Sequence, residues 1–369
     1  MWDKYLTNDY DVTNEIFGRY TIFLLDGFTL QNKKSEAAGK IIVSTIKGYL
    51  RVVNKHYKEQ KYREPWDPND DSDASKLLRA QEKFESEPAK RAPLNSKMIV
   101  EMCRQAKQDP LGFHACTFQF TGIGRFGGFR QQEFAMDSRT QIKHYILPDG
   151  SSVLRAFTVK NFIFYDPDGV RIASPLTNRA RALALGTEFD VQKNRMNKQI
   201  IKHAALPAHP EYCPVRLGLL IVARAQFLGR TDPLDPLCVY KDDKGEVKYL
   251  TGTDITAYFR DIMRTVMPNI SDEELKLIST HSIRVYACVL LHEAGKDGPY
   301  IKLRLRWLSN CFEVYLRNTD TIMFQHMDAL SDVHTRMAAM AINAVGGHDE
   351  AVFVQGNVNL VMDDLKDED

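Results

Sequence analysis

Several stretches of the chain carry side chains able to act on a phosphate ester. One is Thr280-His281-Ser282-Ile283-Arg284. With Ser279 or Thr280 as N-cap, the pattern predicts a helix that runs to Ala294 and stops at Gly295. Its apolar stripe is Ile283, Ala287, Leu290 and Ala294, and helical geometry puts His281 and Arg284 together on another face. A guanidinium grips phosphate oxygens in a bidentate fork, and an imidazole moves a proton near neutral pH. HxxR is short, and a capping histidine beside a surface arginine also accounts for it. Downstream, Leu303-Arg304-Leu305-Arg306-Trp307-Leu308 and Phe312-Glu313-Val314-Tyr315-Leu316-Arg317 add an indole and a phenol. Taken singly, each of these rings is read as core packing. Upstream, Gly128-Phe129-Arg130-Gln131-Gln132-Glu133-Phe134 sets an arginine after a glycine-rich turn, with an acid three residues on that can hold it. A surface ion pair explains that spacing equally well.

Other chemistry is weakly supported. Thr121-Gly122-Ile123-Gly124-Arg125-Phe126-Gly127 contains GxGxxG, but a dinucleotide site needs an acid about 20 residues on within a βαβ unit. Glu133 and Asp137 come too soon, so a nucleotide-dependent enzyme is a minor alternative. His203, His209 and Cys213 are irregularly spaced for zinc. The six cysteines include no CxxC pair, which points to a reducing compartment and away from a disulfide framework.

The elements that must position these groups follow from length and pattern. A chain of 369 residues suggests two domains. With 49 basic and 48 acidic residues the net charge is +1, which excludes a uniformly basic coat but not a local cationic groove. No apolar run approaches the ~18 residues of a membrane span, and Met1–Tyr10 lacks a signal-like apolar region, so a soluble intracellular chain is expected. Between Lys33 and Arg63, nine basic residues face two acids, a local excess of +7. The same stretch carries a helical stripe at Ile46, Tyr49, Leu50 and Val53. Its other face, with Lys47, Arg51, Lys55 and Lys58, is either a solvated surface or a phosphate-tracking one.

Helical patterns at Asn14–Leu25 and Ala74–Phe84, broken by Trp66-Asp67-Pro68, make residues 1–87 a helical domain, with Glu85–Pro93 as linker. Met98–Ala106 reads as helix. The turn signals Pro148-Asp149-Gly150 and Asp166-Pro167-Asp168-Gly169 predict short antiparallel strands between Ile142 and Ile172. A second strand pair brackets Gln192-Lys193-Asn194. From Val215 the pattern is mostly helical, including Thr319–Ala344, before an acidic tail. The expected fold is mainly α with a small antiparallel sheet (α+β): domains 1–87 and 88–345, then tail 346–369.

Taken together, THSIRV at Thr280–Val285, LRW at Leu305–Trp307, YLR at Tyr315–Arg317, Gln192-Lys193-Asn194 and Cys213-Pro214-Val215 resemble the tyrosine recombinase (phage integrase) family in order and approximate spacing. The likeness is closest to its Crypton-type eukaryotic members, and the helical domain with Pro65-Trp66-Asp67-Pro68 fits that group's core-binding domain. The resemblance spans about residues 15–345. It implies a helical DNA clamp at 1–87, using Lys47, Arg51, Lys55 and Lys58, followed by a DNA breaking-rejoining domain at 88–345. The implied catalytic set is Arg130 with Glu133 as its supporting acid, Lys193, His281, Arg284, Trp307 and the nucleophile Tyr315. The implied partner is double-stranded DNA, engaged by a homo-tetramer at synapsis, with no metal, cofactor or membrane and with a nuclear setting if the source is eukaryotic. A catalytically silent DNA-binding protein derived from the same fold is the alternative.

Overall fold

The computed structural model describes residues 8–26, 41–84, 91–147, 150–192 and 197–316. The chain divides into two compact units, Met1–Ala89 and Lys90–Asp369.

The first unit contains helices α1 (Tyr10–Leu25), α2 (Val43–Glu59) and α3 (Asp73–Glu82). Asp9 caps α1 and Ser72 caps α3 through side-chain oxygens that accept early backbone N–H groups. On α2, Val43, Ile46, Leu50, Val53 and Tyr57 are buried against Phe17, Leu24, Trp66, Ala74 and Leu78. Tyr49, expected in the apolar stripe, instead lies on the outer face at 40% exposure. Trp66 lies in the connection between α2 and α3, where it is a core residue in its own right. Its indole donates to Ser75 Oγ at 3.0 Å, and Asn54 Oδ1 accepts its backbone N–H at 3.2 Å. The cationic face of α2 is less bare than its local sequence implies. Lys47 pairs with Glu82 at 2.6 Å, Lys58 with Glu64 at 3.0 Å and Lys55 with Glu59 at 3.5 Å. Glu82 and Glu64 come from outside the basic window, so tertiary folding offsets part of its excess.

The second unit begins with α4 (Ser96–Ala106), α5 (Phe113–Gly127) and the one-turn α6 (Gln131–Phe134). Asn95 caps α4 by accepting the Met98 N–H at 2.9 Å. Helix α5 is buried along most of its length and packs against α4. It also crosses α7 (Pro214–Phe227) and α10 (Ser282–Glu293). Here the expected glycine-rich turn is corrected: Gly122 and Gly124 lie inside a helix. A Cβ on Gly122 would stand 2.5 Å from Leu217 Cδ1, and one on Gly124 would stand 2.9 Å from Ile283 Cγ2. The glycines allow close helix crossing, and no phosphate-cradling loop exists there. The turn falls one residue later, at Gly128, whose φ of +56° ends α5 in the left-handed conformation.

Strands β1 (Tyr145–Ile146) and β2 (Ser152–Val153) form a small antiparallel pair. A three-stranded antiparallel sheet follows in the order β3 (Phe162–Tyr165), β4 (Ala184–Phe189), β5 (Gln199–Ala204). The Asp166–Gly169 turn forms, with Asp166 Oδ1 accepting the Val170 N–H at 2.9 Å. It closes a single bridge, Tyr165 to Arg171, and β3 takes β4 as its partner. Strands β4 and β5 flank the Gln192 region, while Lys193, Asn194 and the Pro148-Asp149 turn lie outside the described residues. The expectation of a mostly helical stretch after Val215 missed a hairpin, β6 (Val239–Lys241) with β7 (Val247–Tyr249). Then come α8 (Gly252–Val266), α9 (Asp272–Lys276), α10, α11 (Gly298–Leu305) and a 3-10 turn at Cys311–Tyr315. The architecture is mainly helical with small antiparallel sheets. Among the described residues no helix is long and apolar enough to cross a membrane. Thr319–Ala344 and the tail fall outside the described residues.

Candidate active site

Gly128 turns the chain so that Arg130 becomes the N-cap of α6. Glu133 then accepts the Arg130 backbone N–H on Oε2 at 2.8 Å and its Nη1 on Oε1 at 3.2 Å. The expected Arg130–Glu133 pair is present, but it is the lesser of two. Arg306 holds both oxygens of the same carboxylate, Nη1 to Oε1 at 2.8 Å and Nη2 to Oε2 at 3.0 Å, with its own side chain fully enclosed. Arg306 also donates to Gln192 Oε1 at 3.0 Å and Gly127 O at 3.2 Å, and its guanidinium lies 3.5 Å from the Phe189 ring centroid. Its φ is +58°, a left-handed conformation that closes α11 at a position most often given to glycine. Burial alone would push the Glu133 pKa up; the charge and hydrogen bonds of Arg306, followed by those of Arg130, hold it below the ordinary value.

The helix carrying HxxR begins one or two residues later than its sequence predicts. His281 itself is the N-cap, and Ser282 Oγ accepts the Ser279 N–H at 3.1 Å. Thr280 Oγ1 donates to Gln131 Oε1 at 2.8 Å, which ties this end of α10 to α6. Arg284 was expected on an exposed face, and it is not: every residue from Ser282 to Cys288 is buried. Its Nη1 donates to Gly128 O at 2.6 Å and its Nη2 to Leu305 O at 2.7 Å, and its guanidinium sits 4.7 Å from the Trp307 ring centroid. Trp307 is 8% exposed and its indole N–H has no hydrogen-bond partner among the described residues. Its ring stands edge-on to Tyr315, with centroids 5.8 Å apart.

Tyr315 is half-buried at the end of the 3-10 turn, and its hydroxyl lies 3.0 Å from His281 Nε2. Burial is the main cause that lowers the His281 pKa, and the positive charges of Arg284, Arg91 and Arg130 add to it. The imidazole is therefore neutral at pH 7 and able to accept a proton.

The structure thus brings His281, Arg284, Trp307 and Tyr315 together, and joins Arg130 and Glu133 to them through the Gly128 turn and Arg306. Arg130 Nη2 reaches the Arg306 carbonyl at 3.4 Å. Lys193 lies outside the described residues; of its neighbours, Lys198 pairs with Asp190 and Glu188, and Lys202 lies 3.9 Å from the Tyr165 ring centroid. Lys47, Arg51, Lys55 and Lys58 belong to the other unit. Sequence reasoning passed over Arg306, Gln131, Arg91 and Arg155. Arg306 stood inside a quoted motif, but nothing local marks a residue as buried or left-handed. Among the described residues no group of three or more His, Cys, Asp or Glu side chains could hold a metal ion. Cys213 Sγ accepts the Leu206 N–H at 3.2 Å.

No family model and no curated protein matches the chain. Among solved structures, it is similar to the crystal structure of XerA recombinase, at 12% identity and a TM-score of 0.34, over 91% of this chain and 87% of that one. It is also similar to the Tn1549 transposon integrase solved in complex with transposon right end DNA, at 10% identity and a TM-score of 0.42, over 88% of this chain and 86% of that one.

Proposed function

We propose that the chain is a tyrosine recombinase of Crypton-like type, which cuts and rejoins double-stranded DNA through a 3′-phosphotyrosyl intermediate. The observation that carries this reading is the 3.0 Å contact between Tyr315 Oη and His281 Nε2 inside a shell of arginines. A free tyrosine ionises near pH ~10, so a nucleophilic phenol needs an acceptor for its proton and a cationic field. His281, held neutral, takes the proton as Tyr315 Oη attacks phosphorus. The bond from phosphorus to the 5′ oxygen breaks, and Lys193 gives that oxygen its proton. The step reverses when the 5′ hydroxyl of another strand attacks the phosphotyrosine. One ester replaces another throughout, so the reaction draws on no ATP.

Charge builds on the non-bridging oxygens during attack, and donors aimed at them supply the largest catalytic term, ~3–4 kcal/mol each. Arg130, partly exposed, and the orphaned Trp307 indole N–H are suited to that work. The exposed cations of α2 would add contacts to the backbone without reading sequence. The assembly on DNA would be a homo-tetramer.

One observation favours the second reading, a DNA-binding protein that has lost cleavage: Arg284 is 5% exposed and donates to two backbone carbonyls. A suicide-substrate gel separates the two. A strand-transfer enzyme leaves a covalent protein–DNA band that vanishes in Tyr315→Phe, whereas a silent binder shifts the duplex and leaves no band in either protein.

A further inference from the structure

We infer that the cleft between Arg130 and Arg155 is an anion subsite that takes a second backbone phosphate beside the one attacked. The identity of that ligand rests on the recombinase reading; the charge of the cleft does not.

The cleft encloses about 270 Å³ and is lined by Arg130, Gln132, Glu133, Arg155, Val191 and Gln192. Arg155 comes from the segment after β2 and is held in a fixed pose. Its Nη1 donates to the neutral Gln132 Oε1 at 2.8 Å, and its guanidinium lies 3.7 Å from the Tyr145 ring centroid. Stacking on one face and a hydrogen bond at one corner orient the plane without neutralising it. Its Nε is buried and has no hydrogen-bond partner, and no carboxylate pairs with it among the described residues.

The acid among these lining residues is Glu133, and its charge is already met. Arg306 grips both carboxylate oxygens from the enclosed side. Arg130, Arg155 and Arg306 set three positive charges against that single negative one, so the cleft keeps an excess of two. Without Arg306, Glu133 would draw Arg130 back and the cleft would hold one net charge. Two guanidiniums lining one space suit a tetrahedral phosphate better than a lone carboxylate, with Arg155 as the main donor and Arg130 bridging from the attacked phosphate through the protons that Glu133 and the Arg306 carbonyl leave unused. DNA supplies such groups at regular intervals, so a phosphate neighbouring the reacting one is the natural occupant.

The test uses the full-length protein with two probes, inorganic pyrophosphate and a plain duplex. Pyrophosphate should raise the melting temperature saturably in the wild type, and Arg155→Gln should abolish most of that rise while Arg155→Lys retains part of it. On the duplex, Arg155→Gln should make the slope of log K against log salt shallower by about 0.9, the value of one phosphate contact. Equal pyrophosphate shifts and equal slopes in wild type and Arg155→Gln would overturn the subsite. If Arg155→Gln lowers the unliganded melting temperature, Arg155→Lys decides, since it keeps the charge: a pyrophosphate shift absent there as well counts against the subsite. The two claims fail separately. Arg155-dependent pyrophosphate binding without any phosphotyrosyl adduct removes the recombinase reading and leaves the subsite. An adduct combined with indifference to Arg155 does the reverse.

Discussion

Two groups of cations in this protein have opposite physical circumstances. Around α10 and α11, Arg284 and Arg306 are buried, and they donate to backbone carbonyls, Gln192 and one carboxylate. On α2, Lys47, Lys55 and Lys58 each meet a glutamate at the surface, and Arg51 has no ion pair among the described residues. A buried arginine cannot exchange its partners without leaving a stranded charge, so it fixes geometry. A surface lysine exchanges a glutamate for a phosphate at little cost, so it supplies adjustable attraction. Equal formal charges therefore do different work, and burial decides which.

The sharpest break would come at the nucleophile. Tyr315→Phe should abolish the covalent adduct entirely while leaving duplex affinity within about twofold, because the lost hydroxyl is an uncharged group bonded to His281. Next in size is the buried knot. Arg306→Gln should cost ~3–5 kcal/mol in a denaturant titration, since it removes the main partner of Glu133 in an enclosed site and leaves only the partly exposed Arg130. Adding Glu133→Gln to that variant should recover part of the loss, whereas no recovery would mean that Arg306 stabilises through packing alone. Arg130→Ala should slow adduct formation by ~10²–10³-fold at saturating DNA, the effect of removing one well-aimed donor.

Acid should separate the two groups without any mutation. Glu133 has a folded pKa below its ordinary value of 4.5, so its contribution to stability is complete above that pH and is lost as pH falls through the lower folded value. Melting temperatures of wild type and Glu133→Gln should therefore converge as pH drops beneath 4.5, and parallel curves would count against the pair. His281 has a folded pKa below 6.5, so adduct formation should stay flat from pH 8 to about 6.5 and decline only beneath it. The smallest effects belong to α2. Removing Lys55 or Lys58 should change stability by less than ~1 kcal/mol, and Arg51→Ala should make the salt slope of duplex binding shallower by about 0.9. An unchanged slope would show that this face does not meet DNA.

Much of the helical frame was readable in advance because it depends on local periodicity. The α2 stripe, the helix read at Met98–Ala106 and the α10 segment stopping at Gly295 all announce themselves through local spacing and end signals. Tyr49 was misassigned because a stripe tells which residues share a face but not where that face ends. The β6–β7 hairpin escaped notice because three-residue strands leave almost no pattern. The glycines of α5 were misread as a turn because glycine serves both bends and close crossings, and the choice depends on Leu217 and Ile283, far along the chain.

Residue type alone settled which groups could serve a phosphate reaction: a phenol, an imidazole, an indole and several guanidiniums in a telling order. Which of them touch was settled by tertiary packing. Side-chain chemistry is carried by each residue wherever it lies, but the enclosure of Arg306 and Arg284, the orphaned Trp307 N–H and the meeting of Tyr315 with His281 arise from segments tens of residues apart. Desolvation and distance are properties of that assembled neighbourhood, and they decide which arginine binds Glu133 and which remains available for an anion.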